Sequence, residues 1–390
     1  MLMSLKFYRI TRTKSRFAGF FALVLLCSCT KAPSQDELIA RAQTEPAIAA
    51  SLARQRLASS ELESALHFFQ LAAGAGDTDA LSHALALRQR LHGRLNTAIW
   101  LEQQWRDGSL LADAVSQAKR AELGLWGPDK PQVAAVVASA GCKLTLQPVA
   151  SLQQGVLRWQ QLVSEWQQDK QLSALPVCFA PLQLLDSTAL KCSEHSDSRI
   201  SCQYQALQSL VSTGDFTQLV VIAGRGGASY NNGILQLPDN ASLALLRHEF
   251  MHVLGFIDEY ALADSSAATV CQRGKHYPNL VLQGDTETYL QQWQLSAAPQ
   301  LTAVDTCQAA GVQAYRVIAE DNLMRFYELD LPAEYFALAQ QILTKPQRLM
   351  PVQYYFAHLA RQQQDWPLWQ QFMQQAADWG YAEASEALAP

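Results

Sequence analysis

The stretch from His248 to Asp258 reads HEFMHVLGFID, a spacing of HExxHxxGxxD. Residues four apart on a helix share a face, so His248 and His252 can turn two imidazole nitrogens toward one metal ion. Glu249 stands beside them, placed to take a proton from a water on that metal. Gly255 lets the backbone turn sharply, because without a Cβ it adopts positive φ at little cost. Past that turn Asp258 can swing back as a third, oxygen ligand. Three protein ligands leave one position of a tetrahedral ion open, which suits a catalytic zinc (Zn2+) rather than a structural one. The alternative is an amphipathic core helix carrying two hydrogen-bonded histidines.

The N-terminus reads as an address. Lys6, Arg9, Arg12, Lys14 and Arg16 precede an apolar run, Phe17 to Leu26, that is too short for a comfortable membrane span. The run ends in Leu26-Cys27-Ser28-Cys29, which resembles a bacterial lipobox. Cleavage after a signal peptide at 1–28, with lipidation of the Cys29 thiol, would anchor an exported chain to a membrane. Ordinary signal cleavage near the same place is the alternative. Thr30 rather than Asp follows the cysteine. By resemblance to Gram-negative lipoproteins, this implies the cell envelope, at the outer membrane facing the periplasm.

Export also gives the remaining cysteines a role. Cys142, Cys178, Cys192, Cys202, Cys271 and Cys307 form an even set with no CxxC metal pattern. Sequence proximity favours Cys142 with Cys178, Cys192 with Cys202 and Cys271 with Cys307. The formal net charge is −5 and no basic stripe runs along the chain. That balance argues against nucleic acid as a partner.

Texture divides the mature chain. Residues 29–126 are rich in Ala, Leu and Gln, with helical stretches expected near 46–57, 60–73, 78–91, 94–106 and 109–123. Phe69-x-x-Ala72-Ala73-x-x-Gly76-x-x-x-Ala80 recurs as Met373-x-x-Ala376-Ala377-x-x-Gly380-x-x-x-Ala384 within 346–390. The pattern is similar to the tetratricopeptide and Sel1-like repeats, which would offer a surface for a protein partner. A plain helical bundle is the alternative.

Gly127-Pro128-Asp129-Lys130-Pro131 is a breaker cluster, and a mixed domain over 131–345 follows it. A strand is expected at 143–149, a helix at 156–166 and a buried strand at 219–223. Gly224-Arg225-Gly226-Gly227 precedes strand-like residues 233–237 rather than a helix, so a phosphate loop is rejected. Those strand residues are expected at a sheet edge, where an extended substrate could add as a further strand. Pro238-Asp239-Asn240 is expected to supply the turn and cap before a metal-binding helix over 241–254.

At HExxHxxGxxD the chain resembles the metzincin zinc metallopeptidases in their form with Asp as third ligand. Asp258-Glu259-Tyr260, Tyr277-Pro278-Asn279-Leu280, Trp293, and Tyr315-Arg316 with Asn322-Leu323-Met324-Arg325 are similar to the IgA-peptidase-like members, over about 215–345. The resemblance implies an α+β zincin domain with a twisted sheet, an edge strand, an active-site helix and a Met-turn at Met324, flanked by helical repeats. It also implies a closing helix over 336–342. The DEY triplet stands one residue nearer the HExxH than in the family pattern, which leaves Glu259 as an alternative ligand. His276 is a further alternative. Tyr260 and Tyr327 are candidates for stabilising the oxyanion. The function so implied is zinc-dependent endopeptidase action on proteins or peptides, with Glu249 as general base. A non-catalytic envelope scaffold that binds proteins through its repeats is the competing reading.

Overall fold

The computed structural model describes residues 33–125, 141–194 and 199–389. The signal stretch 1–28, Cys29 and the breaker cluster 127–131 lie outside the described residues.

The N-terminal part is helical: α1 Gln35–Ala42, α2 Pro46–Ala58, α3 Leu62–Gly74, α4 Thr78–Arg106 and α5 Gln117–Leu123. Small residues let these helices lie close, and Ala49, Ala53, Ala65, Phe69, Ala72 and Ala80 are all fully buried. The two stretches expected at 78–91 and 94–106 run on as one element, kinked where Gly93 takes φ 82°. The helix expected over 109–123 is split. A 3-10 turn at Ala112–Ala114 comes first, and α5 begins where the Ser116 hydroxyl accepts the Lys119 N–H.

A six-stranded sheet follows. Its strands are β1 Leu144–Ala150, β2 Val177–Phe179, β3 Gln183–Leu184, β4 Gln218–Ile222, β5 Ser229–Asn231 and β6 Ile234–Leu237. The order is β2-β1-β4-β6-β5, with β3 also on β1. All pairings are parallel except that of β5 with β6. The strand at 233–237 therefore lies inside the sheet, flanked by β4 and β5. The free edge beside the site belongs to β5.

Side chains alternate across a strand, and both faces of β4 are covered. Val220 and Ile222 face a core built with Trp159 and Trp166 of α6 (Gln153–Gln168) and with Leu246 and Phe250 further on. Leu219 and Val221 face a second core, which contains Val211 of α7 (Gln208–Thr213). This arrangement makes the fold mixed α+β.

Next come α8 Leu243–Val253, which carries both histidines, then α9 Asp264–Val270 and α10 Thr286–Trp293. A three-stranded antiparallel sheet lies in the same region, with β9 Ala314–Arg316 between β7 Leu280–Leu282 and β8 Thr302–Val304. The chain ends in α11 Ala333–Ile342, α12 Val352–Gln362, α13 Trp366–Asp378 and α14 Ala382–Ala387. Phe356 and Phe372 pack into the second core against Leu219 and Val221, so α12 and α13 cover one face of the six-stranded sheet.

The two similar stretches fold alike. Gly76 (φ 97°) and Gly380 (φ 86°) each take a left-handed conformation. Just beyond them, the Asp77 N–H bonds to the Ala72 carbonyl and the Tyr381 N–H to the Ala376 carbonyl.

Disulfides join Cys142 to Cys178, Cys192 to Cys202 and Cys271 to Cys307. No helix among the described residues is long and apolar enough to cross a membrane.

Candidate metal centre

Helix α8 starts at Ser242, whose hydroxyl accepts the Leu245 N–H at 3.1 Å. The cap is thus Ser242 and not the expected 238–240 turn. Asp239 is fully buried and pairs instead with Arg94 at 3.0 Å and Arg225 at 3.1 Å. Through Arg94 it ties the N-terminal helices to the sheet domain.

The helix ends in a left-handed turn at Gly255, φ 87°. The Gly255 N–H bonds to the His252 carbonyl and the Phe256 N–H to the Met251 carbonyl, the paired bonds of a Schellman turn. Phe256 is fully buried beyond it. That reversal carries the chain back over the helix and delivers Asp258.

Three ligand atoms converge. The Nε2 atoms of His248 and His252 are 3.2 Å apart. Asp258 Oδ1 lies 3.4 Å from the first and 3.2 Å from the second. This is the one such group among the described residues.

The tautomers follow from the opposite ring nitrogens. His248 Nδ1 meets the Leu323 carbonyl and His252 Nδ1 meets the Phe256 carbonyl, each at 2.8 Å. A carbonyl only accepts, so each Nδ1 carries the hydrogen and each Nε2 presents a lone pair. With both rings neutral, two lone pairs and a carboxylate oxygen face one another, and Asp258 Oδ1 then has no hydrogen-bond donor. Such a triangle can be held together by a metal ion or by a proton. Tetrahedral ligand bonds of about 2.0–2.1 Å set ligand atoms about 3.3–3.4 Å apart, close to the distances observed here. The donor set of two imidazoles and one carboxylate therefore fits a zinc-type ion.

A proton competes for the same place. Burial opposes charge on His252, but the carboxylates of Asp258 and Glu249 outweigh it and push its pKa up to about 9. Burial, and then the neighbouring His252, lower that of His248. Burial also raises Asp258, yet contact with the two histidines leaves its carboxyl below the usual range.

Glu249 is 6% exposed and its Oε2 has no hydrogen-bond partner. Burial pushes its pKa up to about 7. A carboxylate poised there can both take and return a proton near neutrality.

The other expected residues separate clearly. Glu259 is fully buried but turned away from the triangle. It accepts from Asn279 at 3.0 Å, Asn322 at 2.7 Å and the Tyr335 hydroxyl at 2.5 Å. Its own N–H bonds to the Met324 carbonyl at 2.9 Å. Glu259 is thus held by structural hydrogen bonds and lies outside the group of converging ligand atoms. His276 stands outside the ligand group, on the wall of a neighbouring cavity. The Tyr260 hydroxyl donates to Asp258 Oδ2 at 2.8 Å, and the residue lines the cleft. Burial, then the Asp258 charge, keep that hydroxyl protonated well above its ordinary range. Tyr327 does not line the cleft; it is 41% exposed and paired with Glu328. Met324 is fully buried in the core, and its N–H bonds to Asn322 Oδ1 at 2.8 Å.

The cleft over the triangle has a volume of about 690 Å³ and is lined by Glu249, Tyr260, Arg199 and the residues leading into β5. Sequence reasoning missed Arg199, which the Cys192–Cys202 disulfide and a bridge to Gly227 bring to the cleft. It also missed Thr306, whose hydroxyl donates to the Asp258 carbonyl at 2.9 Å. Neither residue sits in a local pattern that could have marked it.

No family profile, no curated protein and no solved structure matches this chain.

Proposed function

We propose that the chain is a zinc-dependent metalloendopeptidase with a metzincin-like catalytic centre. The observation that carries this reading is the triangle of His248, His252 and Asp258 with the unpaired Glu249 carboxylate beside it. The Met324 turn adds support, since it presents the Leu323 carbonyl that sets the His248 tautomer.

His248, His252 and Asp258 would hold the ion. When bound, a zinc ion supplies Lewis acidity toward a peptide carbonyl and acidifies water. Glu249 accepts a proton from the attacking water on one Oε atom and returns it to the departing amine. Tyr260, hydrogen-bonded to Asp258 and facing the cleft, can turn its hydroxyl toward the carbonyl oxygen as negative charge develops. The free edge of β5 can take an extended peptide by strand addition.

Three disulfides suit an oxidising compartment, which agrees with export to the cell envelope and a lipid anchor at Cys29. The helical flanks would then recruit a protein partner or substrate.

The test is zinc content by plasma mass spectrometry, together with chelator-sensitive cleavage of casein. Stoichiometric zinc, and cleavage that Glu249→Gln abolishes, are expected. A purified protein that binds no zinc, or a Glu249→Gln variant that still cuts, overturns the reading in favour of a non-catalytic scaffold.

A further inference from the structure

A second cavity of about 480 Å³ adjoins the metal cleft and shares Tyr230, His252, Gly255 and Ile257 with it. Trp293 and Leu349 are among its apolar lining residues. Its wall carries Lys275, His276, Lys345 and Arg348 and, among the described residues, no Asp or Glu. Arg199 stands in the first cleft. None of Arg199, Lys275, Lys345 and Arg348 makes an ion pair with a described residue, in a chain whose net charge is −5.

Several arginines elsewhere pair with carboxylates, among them Arg94, Arg106, Arg158, Arg225 and Arg316, whereas exposed lysines such as Lys143 and Lys170 stand singly among the described residues; what sets this cavity apart is that its cations are gathered on one concave wall. Lys275, Lys345 and Arg348, unpaired around one concave, partly apolar site whose lining holds no carboxylate, favour a negatively charged guest, because low-dielectric walls focus their field.

We propose that this cavity is a subsite for an anionic group, and that the molecule acts on acidic peptides. The proposal rests on the peptidase reading and adds the substrate class. An Asp or Glu side chain close to the scissile bond would pair with Lys345 and Arg348 while its neighbour packs on Trp293. The carboxylate of a peptide's own C-terminus offers the same chemistry.

Two measurements on the full chain separate the possibilities. The first is fluorescence anisotropy of labelled peptides differing only in Glu against Gln, with the Glu249→Gln protein loaded with zinc. The Glu peptide should bind about tenfold more tightly at low salt, and the margin should shrink as salt rises. The double variant Lys345→Glu/Arg348→Glu should remove or invert that ratio. Amidating the C-terminus of both peptides distinguishes the sources: the Glu-to-Gln ratio belongs to the side chain, and a loss of affinity shared by both peptides belongs to the chain end.

The second measurement is the cleavage profile of the unsubstituted protein on a peptide library, where acidic residues should be enriched beside the cut. Equal binding of Glu and Gln peptides that amidation leaves unchanged overturns the proposal, whatever is cleaved. So does a double variant with a lower Tm and an unchanged Glu-to-Gln ratio, since the two cations would then serve only the fold. Acidic preference in binding with no cleavage of any peptide leaves the anion subsite standing and overturns the peptidase reading instead.

Discussion

His248 Nε2 and His252 Nε2 lie 3.2 Å apart, each aimed inward by a backbone carbonyl that holds the opposite nitrogen of its ring. The two carbonyls come from different places. Phe256 belongs to the turn that ends the same helix, whereas Leu323 is 75 residues downstream of His248. One half of the site is therefore local and the other half depends on the whole domain.

Glu249→Gln keeps the shape of the side chain and removes its basicity. Catalysis should fall by about 10²–10⁴-fold, the range general-base removal costs. Zinc content should stay near that of the unsubstituted protein, because Glu249 is outside the ligand triangle. Parallel metal analysis and single-turnover kinetics check both halves of this statement.

Asp258→Asn replaces a charged ligand with a neutral one while keeping the Tyr260 contact. Zinc affinity should drop by at least about tenfold in competition against a chromophoric chelator. Glu259→Gln should leave affinity much closer to the original. A larger loss from the Glu259 change would show that the ligand assignment is wrong.

Tyr335→Phe removes the hydroxyl that donates to the buried Glu259 carboxylate. The cost should be about 1–3 kcal/mol of unfolding free energy, read by urea denaturation. Glu259 gathers donors from the Asn279 and Asn322 segments and from α11. Damage there should loosen the Met324 turn before it empties the site of zinc.

Gly255→Ala places a Cβ on a left-handed residue, although space is open around it, with Pro278 the nearest neighbour at 4.0 Å. The expected penalty is about 1–2 kcal/mol from backbone strain alone. Gly255→Asn should be better tolerated, because Asn enters that conformation more easily. Equal Tm values for Gly255→Ala and the unsubstituted protein would refute the strain argument.

The Cys271–Cys307 disulfide closes a loop with a sequence separation of 36. Within it lie Asn279, whose side chain braces Ile257 beside Asp258, and Thr306, which holds the Asp258 carbonyl. Replacing both cysteines with serine should cost about 2–4 kcal/mol. Zinc affinity should fall with it, which thermal melts with and without a chelator can resolve.

The local parts of the site were legible in the sequence because they are written at helical and turn spacing. His248, Glu249 and His252 follow from a four-residue period, and Gly255 from the need for positive φ. The alternation and breaker residues likewise located α2 to α6 and the strands β1, β4 and β6, but not α7, α9 or α10. The small antiparallel sheet was not legible. Its strands β7, β8 and β9 are three residues each, and pairing across a long insertion rather than any local pattern defines them.

Sequence alone also could not choose between Asp258 and Glu259, because adjacent residues differ only in which way each side chain leaves the chain. Tertiary structure sends the two carboxylates to different places. The Schellman turn and the Asn279 brace on Ile257 aim Asp258 at the histidines. Asn279, Asn322 and Tyr335 then draw Glu259 into a buried pocket, where a carboxylate is held only by the donors that surround it. The unpaired cations around the second cavity belong to the same class of fact. Lys275 and Lys345 are far apart in the chain, and only packing sets them around one space.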